Sequence, residues 1–224
     1  MTRLLNFMLI AGLMAVIPFE SKAQTEIPEG GKLEFKILRN GDPFGMHVIE
    51  FKQKGGKIIT DIEINMKVSL AFFTLFEYEH HNREVWQGGR LISMESKTND
   101  DGKKYFVKAK RQGDKILVKS TKGTYETPGD IAASTYWRED MIKRDQILNS
   151  QKGRLQDISI ENLGVEQVIA GEEYVPATHY KVQTKDRVID VWYHTKSGQW
   201  VDLAFKIKGQ SIDYVRLTPI QVTH

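Results

Sequence analysis

The chain has 224 residues, with 32 lysines and arginines against 29 aspartates and glutamates, a formal charge of +3, and no cysteine. The charges are interspersed without a basic run or basic helix, which excludes the concentrated positive face that nucleic-acid binding needs. The lack of cysteine excludes a disulfide framework and a lipid-modified cysteine, so the fold has to stand on packing alone.

The chain opens on "MTRLLNFMLIAGLMAVIPFESKAQ". Arg3 gives a positive start, Leu4 to Phe19 is apolar, and Ser21-Lys22-Ala23 puts small residues at the two positions a signal peptidase reads. The apolar stretch is short for a bilayer span. Residues 1–23 are therefore expected to be a signal peptide, and 24–224 a single exported domain, periplasmic or alternatively secreted. That domain would keep 224 − 23 = 201 residues, enough to bury roughly 70% of its unfolded surface.

From there the dominant pattern is period-two alternation broken by turn residues, the mark of antiparallel strands. "KLEFKILR" leads into the turn "NGDPFG", and "MHVIEFKQK" runs to Gly55-Gly56. "KIITDIEINMKVSL", "FEYEHHNREVWQ", "RLISMESKT", "KKYFVKAKR" and "KILVKST" complete a first meander. A second holds "GRLQDISIENLG", "EEYVPATHYKVQT", "RVIDVWYHT", "GQWVDLAFKIKG" and "SIDYVRLTPIQV". Between them "STYWREDMIKRDQILNSQKG" reads as the one helix, capped by Ser134 or Thr135 and stopped at Gly153. The expected fold is all-β: a large curved antiparallel meander forming an open or partly closed barrel with one capping helix.

The stretch "VSLAFFTLFEYEHH", Val68 to His81, breaks the pattern by becoming apolar on both faces. A straight strand from Ile58 to His80 would span about 76 Å at ~3.3 Å per residue, too long for one domain. The chain must bend or reverse within the apolar patch. Loops are normally polar, so an apolar reversal is either core or the rim of an apolar ligand cavity, with insertion into a membrane surface as a third reading. The candidate ligand-binding residues are Leu70, Phe72, Phe73, Leu75 and Phe76 at a mouth, with Tyr136, Trp137 and Met141 lining the cap.

Chemistry is sparsely signalled. On a strand His80 and His81 point to opposite faces, so they do not ligate one ion together; Glu77, Glu79 and His81 share a face, and ordinary solvated residues are the expectation there. "NDDG" at 99–102 lacks the ligand spacing of a calcium loop and reads as a turn. Ser134, His179 and Asp190 have no nucleophile-elbow context. Asp190, Trp192 and His194 share a strand face, with Trp200 on the next strand, which reads as a cross-strand aromatic cluster. Asp213 and an arginine are candidates for an ion pair. No catalytic residue, metal or cofactor is expected.

The order of "REVWQGGRLISMESKTNDDG", "STYW", "DVWYHTKSGQWVDLAFKIKG" and "IDYVRL" resembles a domain-of-unknown-function family of exported proteins in Gram-negative bacteria, over about Leu33 to Leu217. That family implies no activity. More distantly, "WYHTKSGQWVDLAF" followed by "IDY" is similar to the closing hairpins of periplasmic lipoprotein carriers, whose open, helix-capped half-barrel holds acyl chains. The reading is thus an exported binding or carrier protein for a hydrophobic (lipid or acyl) ligand, without chemistry. A cell-envelope interaction protein with a packed core is the alternative, and a periplasmic hydrolase the third. The partners implied are a hydrophobic small molecule or an envelope protein.

Overall fold

The structure, a computed structural model, describes residues 27–70 and 73–220. The expected signal peptide and Phe72 lie outside the described residues. Among the described residues the first meander supplies β1 (Lys32–Arg39), β2 (Asp42–Lys54), β3 (Lys57–Leu70), β4 (Phe73–Gln87), β5 (Arg90–Asp100), β6 (Lys103–Gln112), β7 (Lys115–Ser120) and β8 (Gly123–Pro128). The second supplies β9 (Ala132–Ala133), β10 (Gln146–Leu148), β11 (Leu155–Ala170), β12 (Glu173–Thr184), β13 (Val188–His194), β14 (Trp200–Ile207) and β15 (Gln210–Arg216). Alternation decides their faces. On β4 the even positions His80, Asn82, Glu84 and Trp86 are buried, while His81 and Arg83 are exposed.

All fifteen strands form one sheet, in the order β8 to β1, then β15 down to β9. Each meander zips in sequence, and β1 joins them by pairing with β15 (Phe35 with Arg216, Arg39 with Ile212). The two edges, β8 and β9, are connected by Gly129-Asp130-Ile131 alone. Flat, fourteen inter-strand gaps would hold those edges about 67 Å apart at ~4.8 Å per gap. The link from Pro128 to Ala132 reaches only about 14 Å when fully extended. The sheet therefore curls until its edges meet, which makes it barrel-like, and its concave face becomes the core.

That core is continuous. Leu33, Phe35, Ile49, Met94, Val118 and Val191, from five strands on both sides of the β1–β15 junction, belong to one buried cluster. Phe35 and Trp200 pack with tilted rings, their centres 4.1 Å apart, across the intervening β15. A smaller cluster on the convex side packs the β11–β12 hairpin end (Ala170, Val175, Ala177) on Val201 and Ile220.

Residues 129–154 run through the concave space as a plug, and here the expected helix is replaced. Only Glu139–Lys143 forms a helix, a single 3-10 turn flanked by extended Arg138 and Arg144. Ile147 and Leu148 are consecutive and both buried, which an extended segment covered on two sides permits and an amphipathic helix does not. They belong to β10, between β9 and β11. Ser134 is no helix cap; its hydroxyl accepts from the Ser150 amide at 3.0 Å. Helix propensity is a weak preference that tertiary bonds override.

Those bonds are specific. The buried Glu84 carboxylate accepts from Asn82 Nδ2 (2.9 Å), Trp86 Nε1 (2.8 Å) and Trp137 Nε1 (3.0 Å). Arg138 lies 4.2 Å over the Trp86 ring and donates twice to Asp140 at 2.7 Å. On the opposite arm the Tyr193 hydroxyl donates to the Tyr136 carbonyl at 2.8 Å. Ser96 and Tyr125 donate to the carbonyls of Ser150 and Gly153. The plug thus ties β4, β5 and β8 to β13. Trp137→Phe keeps a ring but strips one donor from Glu84, and should lower stability by about 1–3 kcal/mol; Trp137→Ala, which also opens a cavity, should cost about 3–5 kcal/mol. The urea midpoint at unchanged slope measures both.

Candidate functional site

Burial along the concave face has a direction. On β3, Thr60 and Ile62 are buried, whereas Ile64, Met66 and Val68 are half-buried. On β4 the buried positions end at His80, and Tyr78 and Phe76 are half-buried; on β14 Leu203 is buried and Phe205 half-buried. The plug fills one end of the curl and leaves the other open. Tyr78 and Tyr136 report the depth of that opening. Burial pushes the Tyr136 hydroxyl up to about 12 and that of Tyr78 higher still, yet both side chains keep accessible surface. Both therefore stand deep in the curl and still reach its opening.

Bulges shape its rim, where such irregularities commonly occur. The β1–β2 register shifts at Phe44, between the Ile37–Gly45 and Leu38–Pro43 pairs. Phe44 stacks on Phe76 at 5.7 Å. Gly45 must be glycine, because a Cβ would collide with the Asn65 carbonyl oxygen and Met66. On β4 Phe76 pairs with Val68 and Thr74 with Ser69, leaving Leu75 as the extra residue. Ser69 stands on the convex side with Lys67, so Phe73, one position beyond Thr74, returns to the concave side. It projects past the rim, 73% exposed, with Leu75 59% exposed beside it.

The reversal within Val68–His81 falls where the apolar patch put it, between Leu70, the last residue of β3, and Phe73. Phe73, Leu75 and Phe76 stand at the mouth. Tyr136 reaches the same interior, its ring 6.3 Å from Trp200. Trp137 and Met141, expected to line the cap, are buried in the core. Sequence reasoning missed Phe44, Met66, Tyr78 and Phe205. Met66 and Tyr78 were legible as even, apolar positions of β3 and β4; Phe44 was hidden in a segment that reads as a turn.

The wall carries neutral hydrogen-bonding groups. His47 is buried among Phe35, Trp200 and Tyr214, with ring centres 5.3–6.2 Å away, and neither ring nitrogen has a hydrogen-bond partner. Burial, helped by His80, lowers its pKa to about 3. His80, whose Nδ1 lies 2.8 Å from Thr98 Oγ1, is lowered to about 4, chiefly by burial. Both imidazoles are neutral at pH 7.

Elsewhere the chemistry is spent on structure. Glu79 and His81 are solvated on the convex face, with Glu77 half-buried and 3.7 Å from Lys67. Among the described residues no group of three or more potential ligands is placed to hold a metal ion. His179 does meet Asp190 (2.9 Å) and Glu166 (3.2 Å) and stacks on Trp192 at 4.2 Å. This cluster is convex, and Ser134 belongs to the plug. The expected face shared with Trp200 is not formed: a bulge at Trp192/Tyr193 pairs Trp200 with Tyr193 and turns it into the concave core. Nor does Asp213 pair with Arg216, whose buried guanidinium donates to Trp200 O, Thr218 O, Pro219 O and Gln199 Oε1. At the seam between β8 and β11 a cleft of about 600 Å³ is lined by both signs of charge, including Asp130, Arg144 and Asp157. Arg144 is already paired with Asp130 there.

A family model described as a domain of unknown function (DUF6134) matches residues 35–217, and the chain belongs to that family. No curated protein matches the sequence. Among solved structures it is similar to a β-barrel-like protein of the domain of unknown function DUF1849 from Brucella abortus. The TM-score is 0.64 at 12% identity, over 89% of this chain and 100% of that one, a likeness of fold.

The buried histidines set an acid limit. In the unfolded chain they protonate near 6.5, in the folded protein only near 3 and 4. Below pH 6.5 the unfolded state binds more protons, so their stabilisation is full above that pH and is lost as pH falls, about 2 kcal/mol per histidine by pH 5. Asp202 opposes this, because burial raises its carboxyl to about 7 and protonating it below that pH favours the folded state. A difference measurement separates the two. His47→Phe should shrink the loss of urea stability between pH 7 and pH 5 by about 2 kcal/mol relative to the unsubstituted protein.

Proposed function

We propose that this member of the family is an exported, periplasmic binding or carrier protein for a hydrophobic ligand, and that it performs no chemistry on it. The observation that carries the reading is the open end of the curl, where half-buried Phe44, Met66, Val68 and Phe76 line the wall and Phe73 stands exposed at the lip. Ligand sites are concave and mainly apolar with a few convergent polar groups, and the imidazoles and phenols behind this mouth are such groups. A large exposed apolar side chain at the edge of a concavity also has a use, since it covers a ligand's tail as the ligand enters. The leader-like "MTRLLNFMLIAGLMAVIPFESKAQ" supports the compartment.

A second reading, a cell-envelope interaction protein, rests on a different surface. Val165, Ile169 and Tyr174 are exposed, and their pairings place them on one face of the β11–β12 hairpin. Under that reading Tyr174→Asp abolishes co-purification of an envelope protein, and the mouth residues are irrelevant to it.

The decisive experiment is to express the full chain in a Gram-negative host, purify it from the periplasm without detergent and extract it with organic solvent for mass spectrometry. A stoichiometric apolar molecule is expected; a clean extract combined with no uptake of a fluorescent fatty acid overturns the carrier reading. Phe73→Asp should abolish uptake while moving the melting temperature by no more than about 2–3 °C, because exposed positions away from packing cost little. A cooperative loss of stability would instead make Phe73 a core residue.

A further inference from the structure

Two arginines at the open end have an unusual setting. The Arg39 guanidinium lies 5.0 Å from the Phe44 ring centre, and that of Arg187 lies 5.1 Å from Phe205. Both rings belong to the half-buried rim of the concavity. Among the described residues no carboxylate pairs with either guanidinium: Asp186, beside Arg187, is paired with Arg154. Arg39 and Phe205 both pair with Ile212, so they stand two strands apart in one register row, about 10 Å across the sheet. Two charges held on aromatic faces thus flank one opening. Exposed arginines left to themselves make transient contacts with whatever carboxylate is near; stacking holds these two at the mouth.

Behind them are three phenols. Among the described residues none of the hydroxyls of Tyr78, Tyr136 and Tyr214 makes a hydrogen bond, and each side chain lies deep enough for burial to raise its pKa. The Arg187 guanidinium stands over Phe205, which pairs with Ile212 two residues before Tyr214, and its charge pulls all three hydroxyls back. The Tyr136 and Tyr214 rings both pack on Trp200, at 6.3 and 5.7 Å, and Tyr78 stands on the same wall, paired with Met66 and with its ring 6.4 Å from His80. Asp100 acts on Tyr78 and is engaged by Gln151 Nε2 at 2.9 Å. Donors grouped behind two arginines that no carboxylate pairs have the chemistry that holds an anion. Each of the three hydroxyls keeps accessible surface, so a ligand in the opening can reach it.

We propose that Arg39 and Arg187 at the rim, with the hydroxyls of Tyr78, Tyr136 and Tyr214 inside it, form a head-group subsite for the carboxylate or phosphate monoester of a single-chain amphiphile. The inference rests on the carrier reading and specifies its ligand. The tail runs along the other wall of the opening, over Met66, Val68 and Phe76 to the exposed Phe73 at the lip. Phenols donate and guanidinium supplies charge, so head groups are ranked by charge and acceptor count. A neutral alcohol of equal chain length keeps the apolar contacts and loses the charge-assisted bonds.

Competition against a neutral naphthylamine probe at about pH 8, where the acids are ionised, tests this on the full chain purified after leader removal. Tetradecanoate and dodecyl phosphate are expected to displace the probe at concentrations at least ~10-fold below tetradecanol. Butyrate and inorganic phosphate, which lack a tail, are expected not to displace it. The double variant Arg39→Met/Arg187→Met should bind tetradecanol as before and lose the preference for the acids; Tyr214→Phe should reduce it. If the double variant unfolds at lower temperature, Arg187→Met alone, in an exposed turn, makes the test, and retention of the full preference there overturns the proposal. Equal binding of alcohol and acid overturns it and leaves the carrier reading standing. Displacement by butyrate or phosphate as strong as by the long chains replaces it with a small-anion site. Failure of probe and every amphiphile to bind overturns the carrier reading as well.

Discussion

Three residues, Gly129-Asp130-Ile131, connect the two outermost strands of a fifteen-stranded sheet, and the shape of the molecule follows from that shortness. A strand order that runs outward from a central junction would give a broad open sheet if its edges were free. Joined this tightly they must lie side by side, and right-handed twist lets the sheet coil enough to bring them there. Gly129 is itself fitted into the join: a Cβ there would collide with Arg111 and the Asp114 carbonyl oxygen, while Arg111 donates to the Gly129 carbonyl at 2.6 Å. Closure by a covalent link relieves β8 and β9 of having to pair with each other, so the seam keeps a cleft where a fully hydrogen-bonded barrel would have a ladder.

A curl of this kind has a concave face too large for its own side chains to fill, and the plug answers that. Its anchor is a buried carboxylate. Glu84 would be unfavourable in an apolar core without partners, and it has three donors, two of them indoles that also pack. Glu84 thereby makes one conformation of residues 129–154 better than its competitors, since Trp137 can reach it only from the observed path. Tyr193 fixes the opposite side of the plug through the Tyr136 carbonyl, holding Tyr136 at a positive φ of 59°, a conformation that an aromatic residue rarely adopts. The plug then covers one end of the concave face only. The other end stays open because that is where the filling stops.

The sites that looked chemical in the sequence are mostly consequences of this packing. His80 is a neutral wall residue held by Thr98, and His81 is a solvated neighbour on the opposite face. His179, Asp190 and Trp192 form a convex cluster with Glu166 that fastens β11, β12 and β13 together. Among the described residues His47 is a buried histidine with neither ring nitrogen bonded, and it stands behind the open end. Unsatisfied polarity is the more informative signal, because structural histidines and carboxylates find partners within the fold.

Alternation by itself determined the sheet. "KLEFKILR" and "KIITDIEINMKVSL" correspond residue for residue to β1 and β3, because a half-buried strand has only one way to face a core and its period shows in the chain. The length limit on a straight strand likewise put a reversal into the apolar patch after Val68. The sequence could not show that the helix-like segment from Ser134 to Gly153 would be drawn out into a 3-10 turn and a strand, since the bonds that hold it, to Glu84, Tyr193 and Ser96, span 53 or more residues of chain. Nor could it show the two bulges that deliver Phe44 and Leu75 to the rim, or the pairing of Arg39 and Arg187 with rim phenylalanines. Local propensity and period are written within a few residues; which groups face one another across a closed sheet, and which are left without a partner, is decided only when the edges meet.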